Sequence, residues 1–273
     1  MPPSSNIEGQ ALRVLQITDT HLCSGNTRLA GVDTRASCDA VVATVHEREP
    51  ATDLFLLTGD LVHHEGGDSL AAYSDARRRL EALGGPGLVT PGNHDDPHLL
   101  EQVFGDGMLR WDNQRVVGNW LFLVLDSAVA GETGGRLSRS QLQWLDERLS
   151  LYPELYVLVA MHHQPVAIGC EWIDRIGLAN GSDLFDVLDR HRNVRAVLWG
   201  HVHQEYDAWR QGVRLLASPS TCVQFAPARD DFAIDPRPPG YRWLELGADG
   251  AVATGVVRLD RVPDGLDSAL SGY

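Results

Sequence analysis

Seven residues in this chain have the types and spacings needed to hold a pair of metal ions: Asp19, His21, Asp60, Asn93, His162, His201 and His203. They fall in five blocks, Asp19-Thr20-His21, Gly59-Asp60, Gly92-Asn93-His94-Asp95, His162-His163 and Gly200-His201-Val202-His203, and each block directly follows an apolar run. Carboxylate and amide oxygens mixed with imidazole nitrogens, without thiolate, form the set that hard-to-borderline divalent metals select. Asp-x-His and His-x-His suit the task because side chains at i and i+2 of an extended chain point the same way. Asp60 has two oxygens with which to bridge both ions, and glycines at 59, 92 and 200 leave room for sharp turns where the ligands swing inward. Taken singly, each block is weak. A lone Asp-x-His is more often a turn carboxylate beside a surface histidine, a Gly-Asp after a strand is usually a turn signal, and His162 and His163 could be core histidines satisfied by backbone. Their order is what raises the signal: five blocks at five strand ends, with no ligand type missing.

The elements that must position these residues read as alternating β and α. Short apolar runs at 12–17, 54–57, 88–90, 120–125, 155–161 and 194–199 have the length and composition of buried strands. Helix candidates lie between them at 34–48, 69–83 and 138–149, the last opening on a Ser138-x-x-Gln141 capping box. In an α/β sheet the loops at the carboxyl ends of the strands converge on one crevice, so groups far apart in sequence can meet there. Two βαβ-like halves predict an α/β fold with two sheets face to face and helices outside, a four-layer α/β/β/α sandwich. After His203 the pattern changes. Two strands around Gln211-Gly212 and a hairpin around Asp249-Gly250 should pair at a sheet edge, and 226–240, rich in Pro and Asp, reads as a long loop of the kind that forms lids.

With 273 residues, a single domain spanning 1–273 is expected, with a metal-site core over about 12–204 and a β-rich edge over about 205–273. A hydrophobic content of 43% and a charged content of 22% exclude disordered and fibrous classes. The formal charge of −14 would repel a polyanion, and no basic stripe offsets it, so nucleic acid is not an expected partner. Carboxylates that bind divalent ions are neutralised locally, which keeps a phosphate ester acceptable. The N-terminus has no basic segment followed by an apolar one, and no window reaches the length of a membrane span, so a cytoplasmic protein without a membrane partner is expected. Cys23, Cys38, Cys170 and Cys222 form no CxxC pair and read as free thiols.

The five blocks together resemble the calcineurin-like metallophosphoesterase superfamily, whose pattern runs D-x-H, GD, GNH[DE], H, GHxH; here it spans residues 19 to 203. Within that superfamily, Ile17-Thr18-Asp19-Thr20-His21-Leu22, the GNHD form at 92–95 and Pro-Ser-Thr-Cys-Val-Gln-Phe at 219–225 resemble the bacterial class III cyclic nucleotide phosphodiesterases. The similarity extends along nearly the whole chain, to the Ser-Gly-Tyr terminus. The resemblance implies a first metal on Asp19, His21, Asp60 and His203, and a second on Asp60, Asn93, His162 and His201. It also places His21, Asp60, Asn93, His94 and His203 against the substrate. Iron and manganese are the metals it favours, with zinc also fitting.

It further implies hydrolysis of 3′,5′-cyclic AMP to 5′-AMP, lowering intracellular cyclic AMP. A broader phosphodiesterase acting on glycerophosphodiesters or 2′,3′-cyclic nucleotides, and a fold-retaining scaffold without turnover, are the competing expectations. Two metals roughly 3.5 to 4 Å apart can share a water, depress its pKa and present hydroxide to phosphorus. His94 adjoins a ligand without completing either metal's set, which suits it to protonate the leaving oxygen. Asp95 would orient His94 or serve as a helix N-terminal carboxylate. His163 is expected at the cleft rim or in the core, and His63, His64 and His98 in surface or loop roles, with one of them able to touch a phosphate. Thr221 and Cys222 would line the nucleotide pocket by resemblance, Cys222 being as good a core residue. Trp172, Trp111 and Phe225 are the aromatics that could stack on a purine. Monomer and homodimer are both compatible with the sequence.

Overall fold

The computed structural model describes residues 11–49, 51–63, 69–270 and 272; His64, most of the terminal tripeptide and the first ten residues lie outside the described residues. Along the chain run β1 (Leu12–Ile17), α1 (Thr34–Arg48), β2 (Leu54–Thr58), α2 (Ser69–Glu81), β3 (Gly87–Thr90), α3 (Pro97–Phe104), β4 (Leu109–Arg110), β5 (Gln114–Val117) and β6 (Trp120–Val124). Then follow α4 (Arg139–Leu151), β7 (Tyr156–Met161), α5 (Glu171–Asp174), α6 (Gly181–Leu188), β8 (Val194–Trp199), β9 (Tyr206–Arg210) and β10 (Val213–Ala217). The chain closes with β11 (Gln224–Phe225), β12 (Ile234–Asp235), β13 (Gly240–Leu246) and β14 (Val252–Arg258).

Two six-stranded mixed sheets form, ordered β14-β13-β1-β2-β3-β4 and β5-β6-β7-β8-β10-β9. Strand alternation sends each strand's side chains to two different cores. Leu12, Val14, Leu54 and Leu56 of the first sheet meet Phe122, Leu158, Ala160 and Leu198 of the second in a core between the sheets. Leu15, Ile17, Phe55 and Leu57 point the other way, onto α1, α2 and α3. Val157, Val159, Met161 and Val197 likewise face α4 and α6. These are the four layers that the sequence predicts. Strands buried on both faces explain why the runs read as continuous apolar stretches.

The C-terminal hairpins pair as expected, but they extend different sheets: β10 runs parallel to β8, whereas β13 runs antiparallel to β1. Within 226–240, β12 folds back on β11, so that stretch is not wholly without regular structure. Ser138 caps α4 by accepting from the Gln141 amide. Gln141 does not complete the box; its side chain instead clasps both the amide and the carbonyl of Asp126, which holds the loop after β6. No helix among the described residues is long and apolar enough to cross a membrane.

One buried amide joins the two sheets just below the strand ends. Gln16, wholly buried at the end of β1, donates to Thr58 Oγ1 at 2.7 Å and to the Trp199 carbonyl at 2.9 Å, and accepts from Ser218 Oγ. Thr58 ends β2 and Trp199 ends β8, so one side chain spans both sheets. Replacing Gln16 by Leu strands these partners in a dry interior, and the expected loss is about 1–3 kcal/mol of unfolding free energy. Urea denaturation measures it, and a loss below about 0.5 kcal/mol would show that the amide does not hold the sheets together.

Candidate metal centre

The hydrogen-bonded ladder between β1 and β2 continues beyond both strands. The Asp19 amide donates to the Gly59 carbonyl, His21 to Asp60, and Leu22 to Leu61, at 2.8–3.0 Å. This extension carries the first two blocks into the crevice side by side. The other blocks arrive from the ends of β3, β7 and β8. Of the eight non-glycine residues with positive φ among the described residues, five are Asp19, His21, Asp60, His201 and His203, with φ between 41° and 68°. Such strain clusters at functional sites, and Asp and His are among the side chains that best tolerate it.

Close approach also demands glycine at two points. A Cβ on Gly92 would stand 2.1 Å from Asp60 Oδ1 and 2.5 Å from the Asp60 amide. One on Gly200 would stand 2.2 Å from Thr18 Oγ1, the hydroxyl that donates to Asp19 Oδ2.

All seven predicted ligands come together, and six of them are buried. His21 Nε2 lies 3.1 Å from His203 Nε2 and 3.5 Å from Asp60 Oδ2, and His203 Nε2 lies 3.4 Å from Asp19 Oδ1. On the other side His162 Nε2 sits 3.1 Å from Asn93 Oδ1 and 3.2 Å from Asp60 Oδ2. Asp60 thus belongs to both groups through a single oxygen. The expectation that both of its oxygens bridge is corrected, because Oδ1 accepts the His94 amide at 2.9 Å.

The histidine tautomers follow from their outer contacts. His162 Nδ1 meets the Thr58 carbonyl at 2.7 Å, His203 Nδ1 the Val223 carbonyl at 2.8 Å and His201 Nε2 the Ile176 carbonyl at 3.1 Å. A carbonyl only accepts, so each of these nitrogens carries its proton outward, and each ring, when neutral, turns a lone pair inward. When these rings act as ligands, their inward nitrogens and the oxygens of Asp19, Asp60 and Asn93 face one another at 3.1–3.5 Å as acceptors. That arrangement asks for cations, and the donor set fits two of them.

Charge states agree. Burial holds His21 well below the ordinary imidazole range, although Asp60 pulls the other way. Burial does the same to His201, helped by His163 and His162. Asp60 stays ionised: burial pushes its carboxyl up, but His162 first, then His94 and His21, outweigh it and hold it well below the carboxylate range. His162 differs. Burial opposes its charge, yet Asp60 and Asp19 raise it to about 9, so without a cation a proton fills that half of the centre.

Around this centre some expectations hold and others are revised. His163 is wholly buried, with Nδ1 2.8 Å from Ser127 Oγ and Nε2 3.2 Å from the Thr133 carbonyl, and burial lowers it to about 3. It is a core residue behind His162 and His201. Asp95 neither turns its carboxylate to His94 nor caps α3, since Asp96 is the N-cap. It latches two loops, accepting from the amides of Leu61, Val62 and Gly92 and from the Tyr73 hydroxyl, and burial followed by Asp60 lifts it to about 6. Thr221 and Cys222 are buried behind the Asp19 loop rather than lining a pocket, and Cys222 Sγ lies 3.3 Å from the Asp19 carbonyl.

Trp111 packs into the outer core of the first sheet. Phe225 stacks flat on His203 at 4.1 Å, with Trp172 and Phe232 edge-on to it at 5.1 and 5.4 Å. His98 is an exposed residue of α3. His63, expected on a surface loop, instead lies 3.2 Å from His21 and stacks on His94. No spacing signals this, because His63 stands three residues after Asp60 and strict alternation would send the two side chains to opposite faces.

The chain is similar to known proteins. The family model for calcineurin-like phosphoesterases matches residues 12–205. The chain is 42% identical over 261 residues to the 3′,5′-cyclic adenosine monophosphate phosphodiesterase CpdA of Pseudomonas aeruginosa, covering 95% of this chain and 94% of that protein. It is 39% identical over 270 residues to the protein of the same name in Escherichia coli K12, covering 98% and 97%. A 3′,5′-cyclic-nucleotide phosphodiesterase from Nostoc is 39% identical, covering 92% and 93%. Among solved structures, a dimetal phosphatase from Danio rerio superposes with a TM-score of 0.63 at 16% identity, covering 91% of this chain and 99% of that one, a likeness of fold.

Two outcomes follow from the centre's geometry. Gly92→Ala must displace the Asp60 carboxylate, and an activity loss of at least about 100-fold with a retained fold is expected, read from turnover and circular dichroism. A variant that keeps full turnover would show that the close approach is dispensable. In the metal-free chain, His162 has a folded pKa of about 9 against an ordinary 6.5, so its contribution to stability is complete below pH 6.5 and is lost as pH rises through 9. Urea unfolding at a series of pH values reads this, and stability that climbs across that window would contradict it.

Proposed function

Since this chain belongs to the calcineurin-like phosphoesterase family, we propose that it hydrolyses 3′,5′-cyclic AMP to 5′-AMP at the centre described above. The observation that carries the reading is the inward ring of imidazole, carboxylate and amide ligand atoms, in a chain alike over nearly its whole length to relatives named for this substrate. Asp19, His21, Asp60 and His203 would hold one ion, and Asp60, Asn93, His162 and His201 the other. Iron, manganese or zinc suits such oxygen and nitrogen donors. When bound, the pair supplies an acidified water and positive charge for the phosphoryl oxygens.

The chain's own groups do the rest. His94 is half-buried at the mouth, edge-on to His21 with ring centroids 4.9 Å apart, and its backbone is pinned to Asp60. From there it reaches both substrate and solvent, and we assign it the proton delivered to the departing 3′ oxygen. His21, Asp60, Asn93 and His203 border the same space and contact the phosphate. Four buried free cysteines are in keeping with a cytoplasmic setting, and the acidic surface with a small-molecule rather than a nucleic-acid partner.

A hydrolysis panel of cyclic AMP, cyclic GMP, 2′,3′-cyclic AMP, glycerophosphocholine and AMP, run with Mn²⁺ and with chelator, tests the assignment. Cyclic AMP should lead and chelator should abolish turnover; equal rates on glycerophosphocholine would favour a broader phosphodiesterase, and preference for AMP would sink the diesterase reading. His94→Ala should lower turnover about 10²- to 10⁴-fold at unchanged metal content. Loss of metal in that variant would make His94 a ligand instead.

A further inference from the structure

Three of the four histidines in the centre anchor their outer nitrogen on a main-chain carbonyl, so the backbone dictates their tautomers. His21 is the exception. Its Nδ1 lies 3.2 Å from Nδ1 of another side chain, His63, which the ligand pattern does not call for. The placement is built in. The ladder that carries His21 into the crevice runs one step further: Leu22 and Val62 bridge, and the His63 amide donates to the Leu22 carbonyl at 3.2 Å.

Only one proton arrangement lets His21 serve as a ligand. Its Nε2 faces His203 Nε2 and Asp60 Oδ2, both acceptors, at 3.1 and 3.5 Å. A proton on Nε2 would occupy the place of the ion, so the proton must sit on Nδ1, and Nδ1 needs an acceptor. We propose that His63 is a positioning residue for the first metal ion: its unprotonated Nδ1 accepts the Nδ1–H of His21 and so turns the His21 Nε2 lone pair into the centre.

The second contact of His63 extends this role. Its ring stacks on His94, with centroids 4.9 Å apart and planes 28° apart, while His94 meets His21 edge-on. One imidazole therefore braces both a ligand and the proposed proton donor. Outer partners of metal-bound histidines fix ring orientation and ligand basicity, and here that partner is a side chain that substitution can remove. The proposal rests on the two-metal reading of the centre.

Two substitutions separate the hydrogen bond from the packing. His63→Phe keeps a ring to stack on His94 but offers no acceptor, whereas His63→Asn places an amide oxygen near the position of Nδ1. Mn²⁺ binding by chelator competition, thermal midpoint, and kcat and KM for cyclic AMP are measured on each. The expected result is that His63→Phe weakens one of two Mn²⁺ sites about 10- to 100-fold and leaves the other and the thermal midpoint of the metal-free chain unchanged. His63→Asn should restore that site to within a few-fold. Equal losses in the two variants, or two sites of full affinity in His63→Phe, overturn the proposal while leaving the two-metal reading intact. A third Mn²⁺ that vanishes in both variants would also overturn it, by making His63 a ligand. A wild-type chain that binds fewer than two Mn²⁺ ions overturns the underlying reading and this proposal with it.

Discussion

Mutual repulsion among inward-facing lone pairs is the constraint that the rest of this structure must satisfy. Six ring, amide and carboxylate atoms, all acceptors in the ligand state, sit within 3.1–3.5 Å of their neighbours. Left unpaired in a dry interior, such groups cost several kcal/mol each. A surface loop could relieve this by swinging its side chains into water. The side chains here cannot, because their backbones lie in a continued β ladder and their outer nitrogens are bonded to main-chain carbonyls or to His63.

The same demand is visible in the backbone. Five site residues hold left-handed conformations, each costing on the order of 1–3 kcal/mol, which together rival the net stability of a whole domain. Only a framework that over-determines the strand ends can keep them there. Three parallel cores, one between the sheets and one under each helical layer, fix the strands, and Gln16 fixes the two sheets to each other one step below the ligands. Asp95 performs the comparable task at loop level, gathering amides from the Asp60 and Gly92 loops and a hydroxyl from α2. Function explains why so much polar material is buried at one end of an otherwise apolar sandwich.

How much of this the sequence discloses depends on the range of the interaction. Helix 34–48 and the strands at 12–17 and 194–199 are legible to the residue, since their periodicity is local. The ligand blocks are legible because strand ends are where an α/β fold exposes chemistry. Partnerships across the chain are not. That Gln141 abandons its capping role for Asp126, that only one oxygen of Asp60 faces both groups, and that Asp95 latches loops all depend on contacts 15 to 34 residues away. His63 is hidden for the same reason: its neighbours in sequence read as a loop, while its neighbours in space are His21 and His94.

The two halves of the centre are also unequal in a way that bears on chemistry. Around His162 and His201 the outer contacts are backbone carbonyls and the buried, neutral His163, a wall with no mobile proton to offer. On the His203 side Phe225 lies flat over the ring, backed by Trp172 and Phe232, and excludes water there. The half-buried imidazoles of His63 and His94 occur together at the remaining side, beside His21. Proton delivery to a leaving oxygen needs a group that touches both the cleft and solvent, and the closed walls leave that side as the route. On the proposed reading the departing oxygen would point toward His94, with the bulk of the nucleotide directed away from the walls that His163 and Phe225 close.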